Sequence, residues 1–157
     1  NKDMINSQQR EKRALYPDRF RQYYLARYAH PRNRLSAITS ARIKKVLSNR
    51  GWSDQGAMRH LDWTILDLQK RLLDLFEVGM SLENAGEWHI DHIRPIASFD
   101  FISPDDDGFK QAWSLTNLAP LWAADNISKR DCISWHLPDT YKNQRLREAY
   151  VSAGHKA

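Results

Sequence analysis

The sequence contains a single cysteine, Cys132, in 157 residues. An internal disulfide is therefore excluded, and so is a cysteine-rich structural zinc site. Long hydrophobic runs are also missing: apolar stretches extend for only a few residues, against the ~20 that a membrane-spanning helix needs. No signal-peptide pattern opens the chain, and no internal repeat or low-complexity tract is visible. What is present suffices for a core, with 41% hydrophobic and 11% aromatic residues in a chain of single-domain length. The expectation is a soluble, cytoplasmic, basic protein.

The formal net charge of +5 hides an asymmetry. Residues 1–50 hold 13 Lys and Arg against the three acids Asp3, Glu11 and Asp18, a net of +10. The remainder holds 11 bases and 16 acids, a net of −5. A strongly basic end on an acidic body points to a polyanion partner for that end, with nucleic acid first.

In the basic segment Tyr16, Phe20, Tyr23, Tyr24 and Tyr28 recur at helical spacing, with Arg19, Arg21 and Arg27 between them. Core packing beside snorkelling arginines explains the tyrosines as well as a binding face does, but the arginines are too many for packing alone. Pro31 ends this helix near His30, and Asn33 or Ser36 is expected to cap the next, whose apolar face is Leu35, Ile38, Ile43, Val46 and Leu47. Gly51 to Gly56 reads as a linker. Thr64, with Asp67 three positions on, is the expected cap of a helix over 65–76 with the stripe Ile65, Leu68, Leu72, Leu75 and Phe76. Residues 88–93 alternate apolar and polar as a half-buried strand that Pro95 stops. A long loop over 97–114 follows, with a solvated acidic run at Asp105, Asp106 and Asp107. A second strand at 118–122, with Pro120 at an unpaired position, leads into a helix over 123–131, and a last helix covers 141–152.

The chemistry concentrates in Asp91-His92, Asn117, Asn126 and Lys129. Neighbours on a strand point to opposite faces, so Asp91 and His92 do not easily share one role. The Asp91 carboxylate and the Asn126 amide are hard oxygen donors, and two such ligands with water and phosphate completing the shell suit Mg²⁺. His92 could take a proton from an attacking water, with Asn117 bonding the imidazole to hold its orientation. His89 shares a strand face with Asp91 and is a candidate metal ligand, phosphate contact or buried hydrogen-bonded histidine. Lys129 either neutralises phosphate or pairs with an acid. Arg94 is a candidate DNA contact near the scissile bond. The other histidines, His30, His60, His136 and His155, are read as surface or packing residues.

The stretch WHIDHIRPIASFD (88–100), followed by NLAPLWAADNISK (117–129), resembles the HNH nucleases, in particular the HNH endonucleases of phages and prophages. The resemblance covers residues 75–131, with His92, Asn117 and Asn126 as the motif letters. It implies an α+β, mostly helical protein in which a ββα-metal core carries a basic helical N-terminal extension. It assigns Asp91 and Asn126 to one divalent metal ion, His92 to the general base and Asn117 to orienting His92. Asn in the third position suits Mg²⁺ or Mn²⁺ over Zn²⁺. The two Cys-x-x-Cys pairs that staple many relatives with structural zinc are absent, so Trp88, Trp113 and Trp122 are candidates to hold the hairpin by packing.

The expected organisation is a basic DNA-binding extension over 1–50, a helical connector over 51–86 and a nuclease core over 87–157. Arg32, Arg34, Arg42, Lys44, Lys45 and Arg94 are the candidate DNA contacts. The expected activity is hydrolysis of phosphodiester bonds in duplex DNA to 5′-phosphate and 3′-hydroxyl ends. Double-strand cleavage by one such site requires a homodimer or two encounters. The rival readings are a non-catalytic DNA-binding or packaging factor on the same scaffold and an RNase or toxin of that fold.

Overall fold

A computed structural model describes residue 7, residues 14–52 and residues 56–153, leaving out the side chains of Phe20, Tyr24, Tyr28 and Ala57. The expectations for Phe20, Tyr24 and Tyr28 as side chains, for Lys2, Arg10, Lys12 and Arg13, for positions 53–55 of the linker and for His155 lie outside the described residues. The protein is α+β: helices predominate, with a small sheet of two antiparallel strands. The chain divides into two compact units, residues 1–34 and 35–157.

In the first unit, α1 (Pro17–Ala29) starts on a proline, whose fixed φ and missing N–H suit the first helical turn. Asp18 in the first turn and Arg27 in the last complement the helix dipole. His30 is extended, as a residue before proline must be, and the chain re-enters a helix at once: α2 spans Pro31–Ser48. Neither Asn33 nor Ser36 therefore caps α2. Asn33 instead donates its side-chain amide to the Arg27 carbonyl at 2.9 Å, closing the end of α1.

Within the second unit α2 buries Leu35, Thr39, Ile43, Val46 and Leu47. Ile38, expected on that face, is 43% exposed, and Thr39 takes the inward position. α3 (Ile65–Leu75) begins with the expected reciprocal cap, in which Thr64 Oγ1 accepts from the Asp67 amide and Asp67 accepts from the Thr64 amide. Its stripe turns Leu68, Leu72 and Leu75 fully inward, each burial contributing roughly 1.5–3 kcal/mol. β1 (Trp88–His92) pairs with β2 (Leu118–Trp122), with Ile90 opposite Pro120 and His92 opposite Leu118. α5 (Ala123–Lys129) follows β2 directly and packs on both strands. α6 (Gln144–Ser152) closes the chain on α3, capped by Asn143, whose side chain accepts from the Leu146 amide. α6 thus starts three residues later than expected, and Tyr141 stands before it.

The segment between the strands is not the loop expected over 97–114. A 3-10 turn at Ile96–Ser98 and α4 (Asp107–Ala112) organise it, and Phe99, Phe101, Phe109 and Trp113 are buried against Ile43, Val46 and Leu47 of α2. Gly108 is required here rather than breaking the helix, since a Cβ at this position would lie 1.9 Å from the Asp100 carbonyl oxygen. Asp106 is not simply solvated either: its carboxylate accepts the amides of Ile102 and Ser103 at 2.8 and 2.9 Å. A second cluster joins α3, both strands, Leu137, Tyr141, Leu146 and Tyr150, with Trp88 inside it and Trp122 partly buried beside it. Two of the three expected tryptophans, Trp88 and Trp113, are core residues.

Candidate active site

β1, β2 and α5 gather the polar residues of the motif. On one side of β1, Asp91 is buried and bonded from two directions. The Lys129 ammonium lies 3.2 Å from Oδ1 and 3.0 Å from Oδ2, and the Tyr150 hydroxyl donates to Oδ2 at 2.7 Å. Lys129 also donates to the His92 carbonyl at 2.8 Å, so a single ammonium ties together two consecutive residues of β1. Lys129 has no exposed surface at all. A phosphate contact by Lys129 is therefore excluded in this arrangement, and its pairing with an acid is what the fold uses it for. Lys129 is the last residue of α5, which packs on both strands, and its ammonium is taken up by Asp91 and the His92 carbonyl.

His89 lies on the same strand face as Asp91, and its Nδ1 is 3.0 Å from the Asn126 side-chain nitrogen. Both residues are half-buried at the rim. Sequence reasoning placed Asp91 beside Asn126; the side-chain bonds instead join Asp91 to Lys129 and His89 to Asn126.

His92 turns the other way. Its ring meets Trp113 edge-on, centroids 4.4 Å apart, and is 5% exposed. Nε2 is buried with no hydrogen-bond partner among the described residues. Burial, reinforced by the positive charges of Arg42 and Lys129, pushes the imidazole down to about 3, so it is uncharged at neutral pH. Arg42 is exposed on α2, the helix that packs against the Trp113 cluster, and its charge reaches His92.

Asn117 does not bond the His92 ring, as the sequence had suggested. Its oxygen accepts the Arg94 amide at 2.8 Å, and its nitrogen donates to the carbonyls of Arg94 and Ala112 at 3.1 and 2.9 Å. Its own carbonyl accepts the Ile93 amide at 2.8 Å. Both amide hydrogens are taken, so its hold on His92 runs through the backbone of the two residues that follow the histidine. Arg94 lies over the Phe99 ring at 4.5 Å and bonds Ser98, leaving it exposed but tethered. Arg32, Lys44 and Lys45 are exposed on α2, and Arg34 is partly buried.

Two residues central to this arrangement were not singled out from sequence. Tyr150 is one. Tyr141 is the other: it accepts the Trp122 amide at 2.9 Å and donates to Asp125 at 2.8 Å, securing the first turn of α5. The i, i+4 apolar pair Leu146 and Tyr150 signals an inward helix face, but no sequence pattern signals what the hydroxyl bonds.

Comparison with known proteins adds little to this geometry. The chain is 32% identical over 122 residues to an uncharacterized protein of Acanthamoeba polyphaga mimivirus, a match covering 73% of this chain and 52% of that protein. The chain therefore spans about half the length of this relative. No family model matches the chain. No solved structure matches it.

Proposed function

We propose that the protein is an HNH-type, divalent-metal-dependent endonuclease acting on duplex DNA, with the strand–strand–helix unit β1, β2 and α5 as its ββα core. The observation that carries this reading is the His92 imidazole: a buried ring nitrogen left without a partner among the described residues, in a pocket that holds it uncharged. An unsatisfied buried polar atom costs about 1–3 kcal/mol, and Thr39 Oγ1 and the Nε1 atoms of Trp52 and Trp113 carry the same cost; His92 differs from the two indoles in being able to accept a proton. Asn117 locks the backbone on the C-terminal side of that residue, and Lys129 holds its carbonyl.

The reading assigns one hard divalent ion to Asp91 and Asn126, and to bind it Asp91 would have to exchange part of its bonding to Lys129 and Tyr150. Among the described residues no group of three or more His, Cys, Asp and Glu stands where it could hold a metal, so the reading relies on two protein oxygens with water and phosphate completing the shell. Asp91 supplies a carboxylate, and the oxygen of the half-buried Asn126 amide has no partner among the described residues while its nitrogen is turned to His89. When bound, the ion would offset the charge that develops on the phosphate and on the leaving 3′ oxygen. The residues of the chain do the rest: His92 Nε2 accepts the proton of the attacking water, and Arg42 and Arg94 draw the phosphate backbone toward it. The exposed Arg32, Lys44 and Lys45 add sequence-independent attraction, and binding should weaken steeply with added salt.

Supercoiled plasmid incubated with Mg²⁺, Mn²⁺ or EDTA tests the reading. Cleavage is expected with either ion and not with EDTA. Cleavage of single-stranded RNA but not of duplex DNA would replace it with the RNase reading; binding of DNA without cleavage under any condition would replace it with the non-catalytic one.

A further inference from the structure

His92 Nε2 is buried as well as unbonded, so in this arrangement neither water nor a phosphate reaches it. The cover over it can be traced. The ring meets Trp113, and Trp113 packs with Ile43, Val46 and Leu47 of α2. Leu35, about two turns before Ile43 on the same helix, belongs instead to the cluster that holds both strands. α2 therefore spans the two clusters, with the buried Thr39 midway between Leu35 and Ile43. His92 stands at the same junction, its backbone in β1 and its ring on Trp113, near enough to α2 for the Arg42 charge to reach it.

Hydrogen bonding at this junction is incomplete. Thr39 Oγ1, Trp52 Nε1, His92 Nε2 and Trp113 Nε1 are buried without a partner among the described residues. Thr39 lies one turn from Ile43, Trp52 packs against the Trp113 cluster, and the other two rings touch each other. Each atom forgoes a bond that water would supply if the layer opened. The two walls of the layer are held differently. Directional bonds tie the Trp113 segment: Trp63 Nε1 donates to the Trp113 carbonyl at 2.6 Å, and Asn117 donates to the Ala112 carbonyl at 2.9 Å. α2 packs through the apolar side chains Leu35, Ile43, Val46 and Leu47, and such contacts are non-directional. Gly51, three residues past the helix, has a φ of +80° and open space where a Cβ would lie, so the chain turns there without strain. The exposed side of α2 carries Arg42, Lys44 and Lys45, and Pro31–Ser48 contains no acid.

We propose that α2 is a removable cover over His92: it shuts the base in the free chain, and the phosphates of a DNA duplex, bound to Arg42, Lys44 and Lys45, draw the helix about Gly51 off the Trp113 layer and admit water to the imidazole. This rests on the reading of His92 as the base and supplies what that reading needs, since a base sealed from water takes no proton. Binding and opening are then reciprocal. A duplex opens the site by preferring the open state, so a cover loosened from inside binds duplex more tightly.

The test is the distance between spin labels on Cys132, the exposed cysteine after α5, and on Ala41→Cys, an exposed position of α2. Double electron–electron resonance reads it with and without a blunt DNA duplex, in EDTA so that no duplex is cut. The free chain is expected to give one distance and the duplex-bound chain a second, displaced by about 5 Å, one helical turn, or more. A bound duplex that leaves the distance unchanged overturns the proposal, as does a chain that binds no duplex. Ile43→Ala loosens the seat without touching the basic side and is expected to bind duplex about 3–10-fold more tightly than the wild type. A variant that is merely damaged binds no better, so equal or weaker binding by Ile43→Ala, folded by circular dichroism, also overturns the proposal. Should Ile43→Ala fail to fold, Ile43→Val carries the same measurement with a smaller expected gain. Plasmid nicking in Mg²⁺ reports on the nuclease reading separately: displaced labels with no cutting by any variant keep the moving cover and remove the base.

Discussion

Asp91 and His92 are adjacent in the chain and live in opposite environments. The carboxylate is paired, held by a fully buried ammonium and a buried phenol. The imidazole is left short of a partner, pressed edge-on to Trp113 with Nε2 unbonded among the described residues. A strand makes this possible, because successive side chains leave by opposite faces and meet different elements: α5 and α6 on one side, the Trp113 segment on the other. The contrast separates two tasks. One side holds a charge in place, the other keeps an imidazole uncharged and its Nε2 unbonded among the described residues.

Breaking the paired side should have the largest effect on stability. Lys129→Ala leaves Asp91 buried without its counter-ion and is expected to cost about 3–5 kcal/mol, read by urea denaturation. Combining Asp91→Leu with Lys129→Met should recover most of that loss, because an apolar pair of similar volume has no desolvation to offset. If the single variant were as stable as the wild type, the ammonium would not be holding the strand.

Next comes the lock behind the base. Asn117→Ala removes three side-chain hydrogen bonds to backbone, at roughly 0.5–1.5 kcal/mol each, and frees the Arg94 backbone while the Ile93 amide keeps its bond to the carbonyl of residue 117. A denaturation midpoint lowered by the equivalent of about 2–4 kcal/mol, with loss of cleavage at temperatures where the variant is still folded, is the expected result. Full cleavage by folded Asn117→Ala would mean that His92 needs no such lock.

The imidazole itself should be visible in the pH dependence of stability. A histidine held at about 3 in the fold and near 6.5 when unfolded binds its proton more readily in the unfolded chain. Stability conferred by the neutral ring is therefore complete above about 6.5 and is lost progressively as pH falls toward about 3. Melting temperature in EDTA should drop between pH 7 and pH 5, before the carboxylates titrate, and His92→Leu should flatten that slope. Below this range Glu77 adds to the loss. Burial alone would raise its carboxyl, but the amides of Asn143, Val78 and Lys142 lower it overall, so its contribution disappears as acid protonates it.

The smallest stability effect belongs to the rim. Asn126→Ala removes one contact with the half-exposed His89 and should shift stability by no more than about 0.5 kcal/mol, while removing a proposed metal ligand. Denaturation curves that overlay the wild type, alongside lost Mn²⁺ binding, are expected; Mn²⁺ binding at wild-type strength would take Asn126 out of the site.

Sequence made the local devices legible. The Thr64–Asp67 cap, the Leu68, Leu72 and Leu75 stripe and the two strands follow from short-range chemistry and appear where expected. What it did not make legible depends on partners far along the chain. Lys129 reads equally as a phosphate contact or as the partner of an acid, and only the approach of Asp91 and the His92 carbonyl explains its complete burial. Gly108 and the acids around it read as loop, because nothing local reveals the Asp100 carbonyl that a side chain would strike. Asn117 reads as a partner of the His92 ring, but its bonds go to the backbone of Arg94 and Ala112, a target that leaves no trace in residue identity. The candidate site was therefore visible as a set of residues and not as a set of bonds.

The central claim is that His92 is kept uncharged and unpartnered in order to take a proton from water. Plasmid nicking in Mg²⁺ by His92→Ala tests it most directly, alongside its binding to a DNA duplex. The account predicts a rate lowered by roughly 10²–10⁴-fold with duplex affinity close to the wild type. Nicking at the wild-type rate by His92→Ala would contradict it.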